Sequence, residues 1–111
     1  MSWLASLSAM PSVERAVLTG MDGLVIEAVG QRGPDPQLLA AELAGLMRAM
    51  GGVSRALGEE LRRFTVATDE HEILAVCFGQ YCLGALIQRG SDRKAVGAEL
   101  SRLALVLAER L

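Results

Sequence analysis

The side chains that most often carry catalysis are few in this sequence and are not grouped. The only histidine, His71, falls in a predicted turn beside Glu70 and Glu72, where we interpret it as a solvated residue and not as a general base. The carboxylate pair Glu59–Glu60 falls in a loop with no nucleophile near it. The sequence therefore predicts no catalytic residues.

The two cysteines are the next candidates for chemistry. A two-residue turn at Gly79–Gln80 makes Cys77 and Cys82 cross-strand neighbours, which we interpret as two buried thiols; a disulfide used as a redox switch is the alternative. One histidine and two cysteines at these positions lack the usual zinc-ligand spacing. The glycines Gly51–Gly52 lie inside a predicted helix, and no phosphate-binding lysine follows them. We expect no metal, no cofactor and no bound GTP.

Composition narrows the class of protein further. The chain has 111 residues, 51% of them hydrophobic, and a net charge of −2 without a basic stripe, which argues against nucleic-acid binding. The longest uncharged run, residues 73–88, is shorter than the ~20 apolar residues that a membrane span needs. A secretory signal requires a Lys or Arg near its start, and none precedes Arg15 in this sequence. We expect one cytoplasmic domain over residues 1–111, without membrane insertion.

Turn and cap residues divide the chain into elements. The dipeptide Asp22–Gly23 predicts a tight hairpin turn, and Asp35 followed by Pro36 predicts the start of a long helix that ends at Gly58. A second hairpin turn at Glu70–His71 pairs residue 68 with residue 73. The predicted elements are a helix over 1–10, strands over 13–19 and 24–29, a helix over 36–57, strands over 61–68, 73–78 and 81–88, and a last helix from about residue 91.

The apolar patterns predict how these elements pack. The last three strands are apolar on both faces, so both faces must be covered. Joining the first strand to the fifth gives an α+β fold of three layers, with a five-stranded antiparallel sheet of order 2-1-5-4-3. The long helix covers one face and the two terminal helices cover the other. The apolar positions expected on the helices are Trp3, Leu7 and Met10; Leu39, Leu43, Leu46, Met50, Val53 and Leu57; and Val96, Leu100, Leu103, Leu107 and Leu111.

A stripe of small residues marks a second face of the long helix. It contains Ala41, Gly45, Ala49, Gly52 and Ala56, and each interior glycine costs about 1 kcal/mol relative to alanine. Close approach of another backbone would compensate for that cost. Because the chain is also short and apolar, we expect it to self-associate.

Three segments together resemble the roadblock/dynein light chain family: Ala16–Ile26 is similar to its first hairpin, Leu39–Gly58 to its central helix, and Ala95–Leu100 to the start of its last helix. The resemblance implies a dimer in which edge strands pair into one sheet and central helices pack together. It places the dimer contacts on Ala41, Gly45, Arg48, Ala49, Gly52, Arg63, Phe64 and Thr65.

The same resemblance implies a function. Bacterial members of the MglB type regulate a Ras-like GTPase by remodelling it, without inserting a catalytic arginine. We therefore expect a non-enzymatic homodimer that regulates or scaffolds a small Ras-like GTPase. Two alternatives stay open: a pure assembly subunit without effect on nucleotide turnover, and a small-molecule sensor of the profilin or PAS type, which would need a cavity between helix and sheet.

Overall fold

The computed structural model describes residues 2–111. Its centre is a five-stranded antiparallel sheet of order β2-β1-β5-β4-β3, which confirms the predicted order. The strands are β1 (Val13–Gly20), β2 (Val25–Gly30), β3 (Arg63–Ala67), β4 (His71–Phe78) and β5 (Tyr81–Gln88). The helices are α1 (Ala5–Ser8), α2 (Pro36–Ala49), α3 (Gly51–Leu57) and α4 (Arg93–Ala108).

Both faces of the sheet are buried, as its apolar strands require. On one face Leu83 and Ile87 of β5 pack in a cluster with Leu100 of α4 and Leu7 of α1. On the other face a smaller cluster contains Val17, Leu39, Leu43, Met47, Ala75, Cys77 and Cys82. This second cluster joins α2 to the sheet, so the three-layer arrangement is confirmed.

The first hairpin also folds as predicted. Gly23 has φ +81° in the turn, and the Asp22 carboxylate accepts a hydrogen bond from the backbone N–H of Leu24 at 3.0 Å. A Cβ on Gly23 would lie 3.3 Å from the Cα of Ala41. The turn therefore packs directly against α2.

The register between β3 and β4 differs from the prediction. Thr68 donates its N–H to the carbonyl of His71 at 2.9 Å, so it does not lie opposite Ile73, and the turn is Asp69–Glu70. β4 begins at His71, before its apolar residues, and a carboxylate oxygen of Glu72 in this first part of the strand lies 3.4 Å from the guanidinium of Arg93. Because the pairing moves by two residues, every side chain keeps its predicted face.

The long middle helix is interrupted at Met50, which separates α2 from α3. Its ends are as predicted: the Asp35 carboxylate accepts a hydrogen bond from the backbone N–H of Gln37 at 2.7 Å, and Gly58 adopts φ +68°. The interruption leaves α3 as a separate segment of seven residues.

The predicted apolar seam of this helix is correct only in its first half. Leu39 and Leu43 are buried, but Met47 takes the next core position instead of Leu46. Val53 and Leu57 are 57% and 67% exposed, because α3 buries none of its side chains in the described part of the chain.

The terminal helices are shorter than predicted. Of the predicted first helix, residues 5–8 are helical and Met1 lies outside the described residues; Leu4 and Leu7 are the buried positions, while Trp3 is 38% exposed. In α4 the predicted stripe is buried as far as Leu107. Leu111 is exposed because the helix ends at Ala108.

Candidate protein-interaction surface

The small-residue stripe lies on the side of the middle helix that faces away from the sheet. Ala41, Ala49 and Gly52 are exposed, and Gly45 is partly exposed. Among residues 2–111, a Cβ added at Gly45 or at Gly52 would approach only the end of an arginine side chain, at 4.0 and 3.9 Å. The stripe therefore does not serve packing against the chain's own sheet.

Exposed apolar side chains extend this surface. Leu38 is 58% exposed at one end, and Val53 and Leu57 are exposed at the other. We call the set the outer helix face, which comprises Leu38, Ala41, Gly45, Ala49, Gly52, Val53, Ala56 and Leu57. Single exposed apolar residues are common, whereas several on one side of a helix make that side a candidate interaction surface.

The edge strand β3 offers a second surface. The N–H of Cys77 donates to the carbonyl of Arg62 at 2.7 Å, and Thr68 bonds to β4 in the same way. Since antiparallel pairing alternates, the backbone groups of Arg63, Thr65 and Ala67 point away from β4. These outward N–H and C=O groups form an edge that can pair with another strand.

Two of the predicted interface residues have contacts inside the chain. Arg48 donates a hydrogen bond to the carbonyl of Met21, which ties α2 to the first hairpin turn. Phe64 is half-buried and packs against the cluster under α2. The structure thus places Ala41, Gly45, Ala49 and Gly52 on one surface and Arg63 and Thr65 at the strand edge.

The two cysteines are directly opposed, as predicted, and both are buried and free. The thiol of Cys82 donates to the sulfur of Cys77, and this bond together with burial raises the pKa of Cys82. A thiol that is buried and held protonated is a poor nucleophile. Both cysteines are members of the buried cluster beneath α2.

The interpretation of His71 as a solvated turn residue is wrong. It is the first residue of β4 and half-buried, with Nε2 3.5 Å from the Oε1 of Glu14. Glu14 is itself buried, at the irregularity between Val13 and Arg15 in β1, and its Oε2 has no hydrogen-bond partner among residues 2–111. The only signal in the sequence was an acidic residue near the start of a mostly apolar strand.

Neither a metal-binding cluster nor a membrane-spanning helix is found in the described part of the chain. Within residues 2–111, no three His, Cys, Asp or Glu side chains are arranged to hold a metal ion. None of the helices in this range has the length and apolarity needed to cross a membrane.

Comparison with known proteins finds solved structures that share this architecture. The chain is similar to a roadblock/LC7 domain from Streptomyces avermitilis, at 25% identity over 99% of this chain and 96% of that one, with a TM-score of 0.85. It is also similar to the gliding protein MglB of Thermus thermophilus (17% identity, 98% and 87% coverage, TM-score 0.82) and to MglB of Myxococcus xanthus (20%, 87% and 81%, 0.78). At those identities, the two MglB proteins show a shared fold.

The sequence itself matches a family as well. A search of curated proteins finds no match for the chain. The family model for the Roadblock/LC7 domain, however, matches residues 3–87, well over half of the chain. With the fold, the sheet order and this match in agreement, the protein belongs to the Roadblock/LC7 family.

Proposed function

We propose that the protein is a non-enzymatic homodimer that regulates or scaffolds a small Ras-like GTPase in the cytoplasm. The observation that carries the proposal is the pair of open surfaces on one chain: the free edge of β3 and the outer helix face. Each is suited to meet a copy of itself, and together they account for the helix glycines that the chain's own packing does not use.

The charges along β3 favour antiparallel self-pairing. Arg62 and Arg63 stand at its start, and Asp69 and Glu70 follow its end. A two-fold axis through Thr65 brings the basic start of one strand against the acidic end of the other. Parallel pairing would instead place like charges side by side, which is unfavourable.

The same two-fold axis explains the helix surface. Because it runs perpendicular to the joined sheet, it places α2 and α3 of both copies on one face. There the small stripe would allow close approach and the flanking Leu38, Val53 and Leu57 would be covered. A standard interface removes about 800 Å² per partner, an eighth of the 6518 Å² surface of the chain. Ample surface remains for a GTPase.

The GTPase partner is supported by the family and by the likeness to MglB proteins. The chain carries no Gly-rich phosphate loop of its own, so its effect would be exerted by binding to the GTPase. A regulator of this kind changes the conformation of its partner and adds no reacting group.

The direct test uses purified chain and a small Ras-like GTPase from the same cell. Complex formation is measured by sedimentation velocity, and GTP hydrolysis is measured under single-turnover conditions with and without the chain. Binding with faster hydrolysis is the expected result. Binding without a change in rate would favour the assembly-subunit alternative, and the absence of any complex would refute the proposal.

The small-molecule alternative has little room between α2 and the sheet. The cavity between α2 and the sheet that is lined by Leu39, Ile73 and Leu86 has a volume of about 230 Å³. Ligand pockets usually enclose about 300–1,000 Å³. The space between this helix and the sheet is filled mainly by side chains, as in a core.

A further inference from the structure

We propose that the groove between β3 and α4 is a docking site for an acidic, amphipathic segment of a partner protein. This groove lies on the face of the sheet opposite α2. It is complete in a single chain, so the proposal holds whether or not the GTPase proposal is correct.

The groove exists because α4 does not reach the edge of the sheet. The helix packs on β4 and β5 and leaves the near side of β3 uncovered, where Arg63, Thr65 and Ala67 are exposed. The resulting space has a volume of about 500 Å³, and Leu74 and Val76 of β4 contribute apolar side chains to its lining. A pairing of β3 edges in the plane of the sheet would leave this face open.

The rim of the groove is basic. Arg63, Arg93 and Lys94 line it, and none of the described residues that line it is acidic. Arg93 lies 3.4 Å from the buried carboxylate of Glu72, but Arg63 and Lys94 form no ion pair within residues 2–111. Within a single copy of the chain, two cations without an ion pair thus converge on one groove, although the net charge is −2. Such a site attracts carboxylates.

The wall formed by α4 leaves room for inserted side chains. It presents Gly97, Ala98 and Ser101 to the groove. A Cβ built on Gly97 would meet no atom of residues 2–111 within 4 Å, apart from its own helix backbone and chain neighbours. A glycine inside a helix costs about 1 kcal/mol relative to alanine. No contact within the described part of the chain offsets the cost of this glycine, whereas a side chain of a bound segment would fill the space beside it.

The lining indicates which kind of occupant fits. Apolar side chains would lie against Leu74 and Val76, while carboxylates would reach Arg63 and Lys94, which is the pattern of an amphipathic segment in a groove. A recessed, narrow site suits a peptide segment better than a flat lipid surface. Nucleic acid is disfavoured because the groove offers no aromatic ring for bases to stack on: Phe64 is the one aromatic residue of its lining, and its side chain packs on the opposite face under α2.

The test uses fluorescent peptides of about 14 residues, long enough for about four helical turns. One peptide carries Leu at helical spacing with Glu between, and two matched peptides replace Glu by Gln or by Lys. Fluorescence anisotropy should show binding of the Glu peptide that weakens with salt, and at least about tenfold weaker binding of the other two. Equal binding of the Lys peptide, or no binding of the Glu peptide, would overturn the proposal.

Three variants locate the binding site. Arg63→Glu and Lys94→Glu should each weaken binding of the Glu peptide about tenfold. Arg110→Glu, a matched charge reversal at an exposed site far along the chain from the groove, should leave it unchanged. If Arg110→Glu weakens binding as much as the other two, the attraction is one of net charge and the groove is not the site.

Gly97→Leu tests the space itself. The variant should melt at the same temperature as the unmodified chain or higher, since leucine favours the helix and a Cβ at this position lies in open space among residues 2–111. Its affinity for the Glu peptide should fall at least about tenfold. Unchanged affinity with an intact fold would overturn the proposal. So would stronger binding to phosphatidylserine vesicles than to the peptide, if Arg63→Glu and Lys94→Glu also abolish the vesicle binding.

Discussion

Replacing Thr65 by proline removes one backbone donor at the centre of the free edge of β3. Within the single chain this N–H points away from β4, so the substitution breaks no hydrogen bond inside the sheet. Proline is tolerated on an edge strand, and Phe64 before it is already extended, as the residue before a proline prefers to be. The chain should therefore fold as before.

The proposed dimer should not survive the same change. With a two-fold axis that passes between the two Thr65 residues, each Thr65 donates its N–H to the carbonyl of the other. Proline removes both of these hydrogen bonds at once. Each carbonyl left without a partner costs about 1–3 kcal/mol, so the dimer loses roughly 2–6 kcal/mol. The dissociation constant of the dimer should therefore increase by a factor between about 30 and about 10⁴.

Sedimentation equilibrium over a series of concentrations measures this shift. The matched control is Thr65→Ala, which removes the same side chain but keeps the N–H and should remain a dimer. Circular dichroism should show both variants folded. An unchanged dimer in the proline variant would refute pairing through β3, and a monomeric unmodified chain would refute the homodimer altogether.

Three further predictions concern other positions. Gly45→Leu should give a folded monomer or an aggregate by light scattering, because a Cβ at this position approaches only the end of the Arg48 side chain, at 4.0 Å, while a bulkier side chain would separate two helices; Gly45→Ala should stay dimeric. Glu27→Ala should loosen residues 2–4, since that carboxylate accepts three hydrogen bonds from them; amide exchange there should accelerate, and unchanged protection would contradict the assignment. Arg102 and a hydrogen bond from Ser6 lower the pKa of Glu99, so the stability that Glu99 adds is present above the ordinary glutamate pKa and lost as pH falls through the lowered one. Glu99→Gln should thus cost under about 1 kcal/mol at neutral pH and nothing near pH 2 in urea titrations, and a cost independent of pH would contradict this.

Local signals in the sequence were enough for most of the architecture. The Asp22–Gly23 turn, the Asp35 cap and the Gly58 end are each set by residues adjacent in the chain, and the structure confirms all three. The three-layer arrangement followed from apolar residues on both faces of the last strands, and the sheet order followed from joining the first strand to the fifth. The turn between β3 and β4 was misplaced by one residue because Asp69, Glu70 and His71 are all polar and suit a turn equally well.

The features that the sequence did not reveal depend on residues distant in the chain. His71 and Glu14 are brought together only when β4 and β1 flank β5. The pattern of Val53 and Leu57 indicated an apolar face but not whether the sheet extends far enough to bury it. The groove beside α4 combines residues from three elements and has no local signature.

The short segment α3 differs from the other helices because it has no buried side chains that stabilise it. Seven residues are fewer than the ~12–15 at which an isolated helix becomes even marginally stable in water. Without an anchor of its own in the described core, Gly51–Leu57 should open at a lower free energy than α2 or α4. A molecule that binds to the exposed side of α3 would therefore stabilise its helical conformation. Local unfolding of α3 would in turn provide a route for the molecule to dissociate.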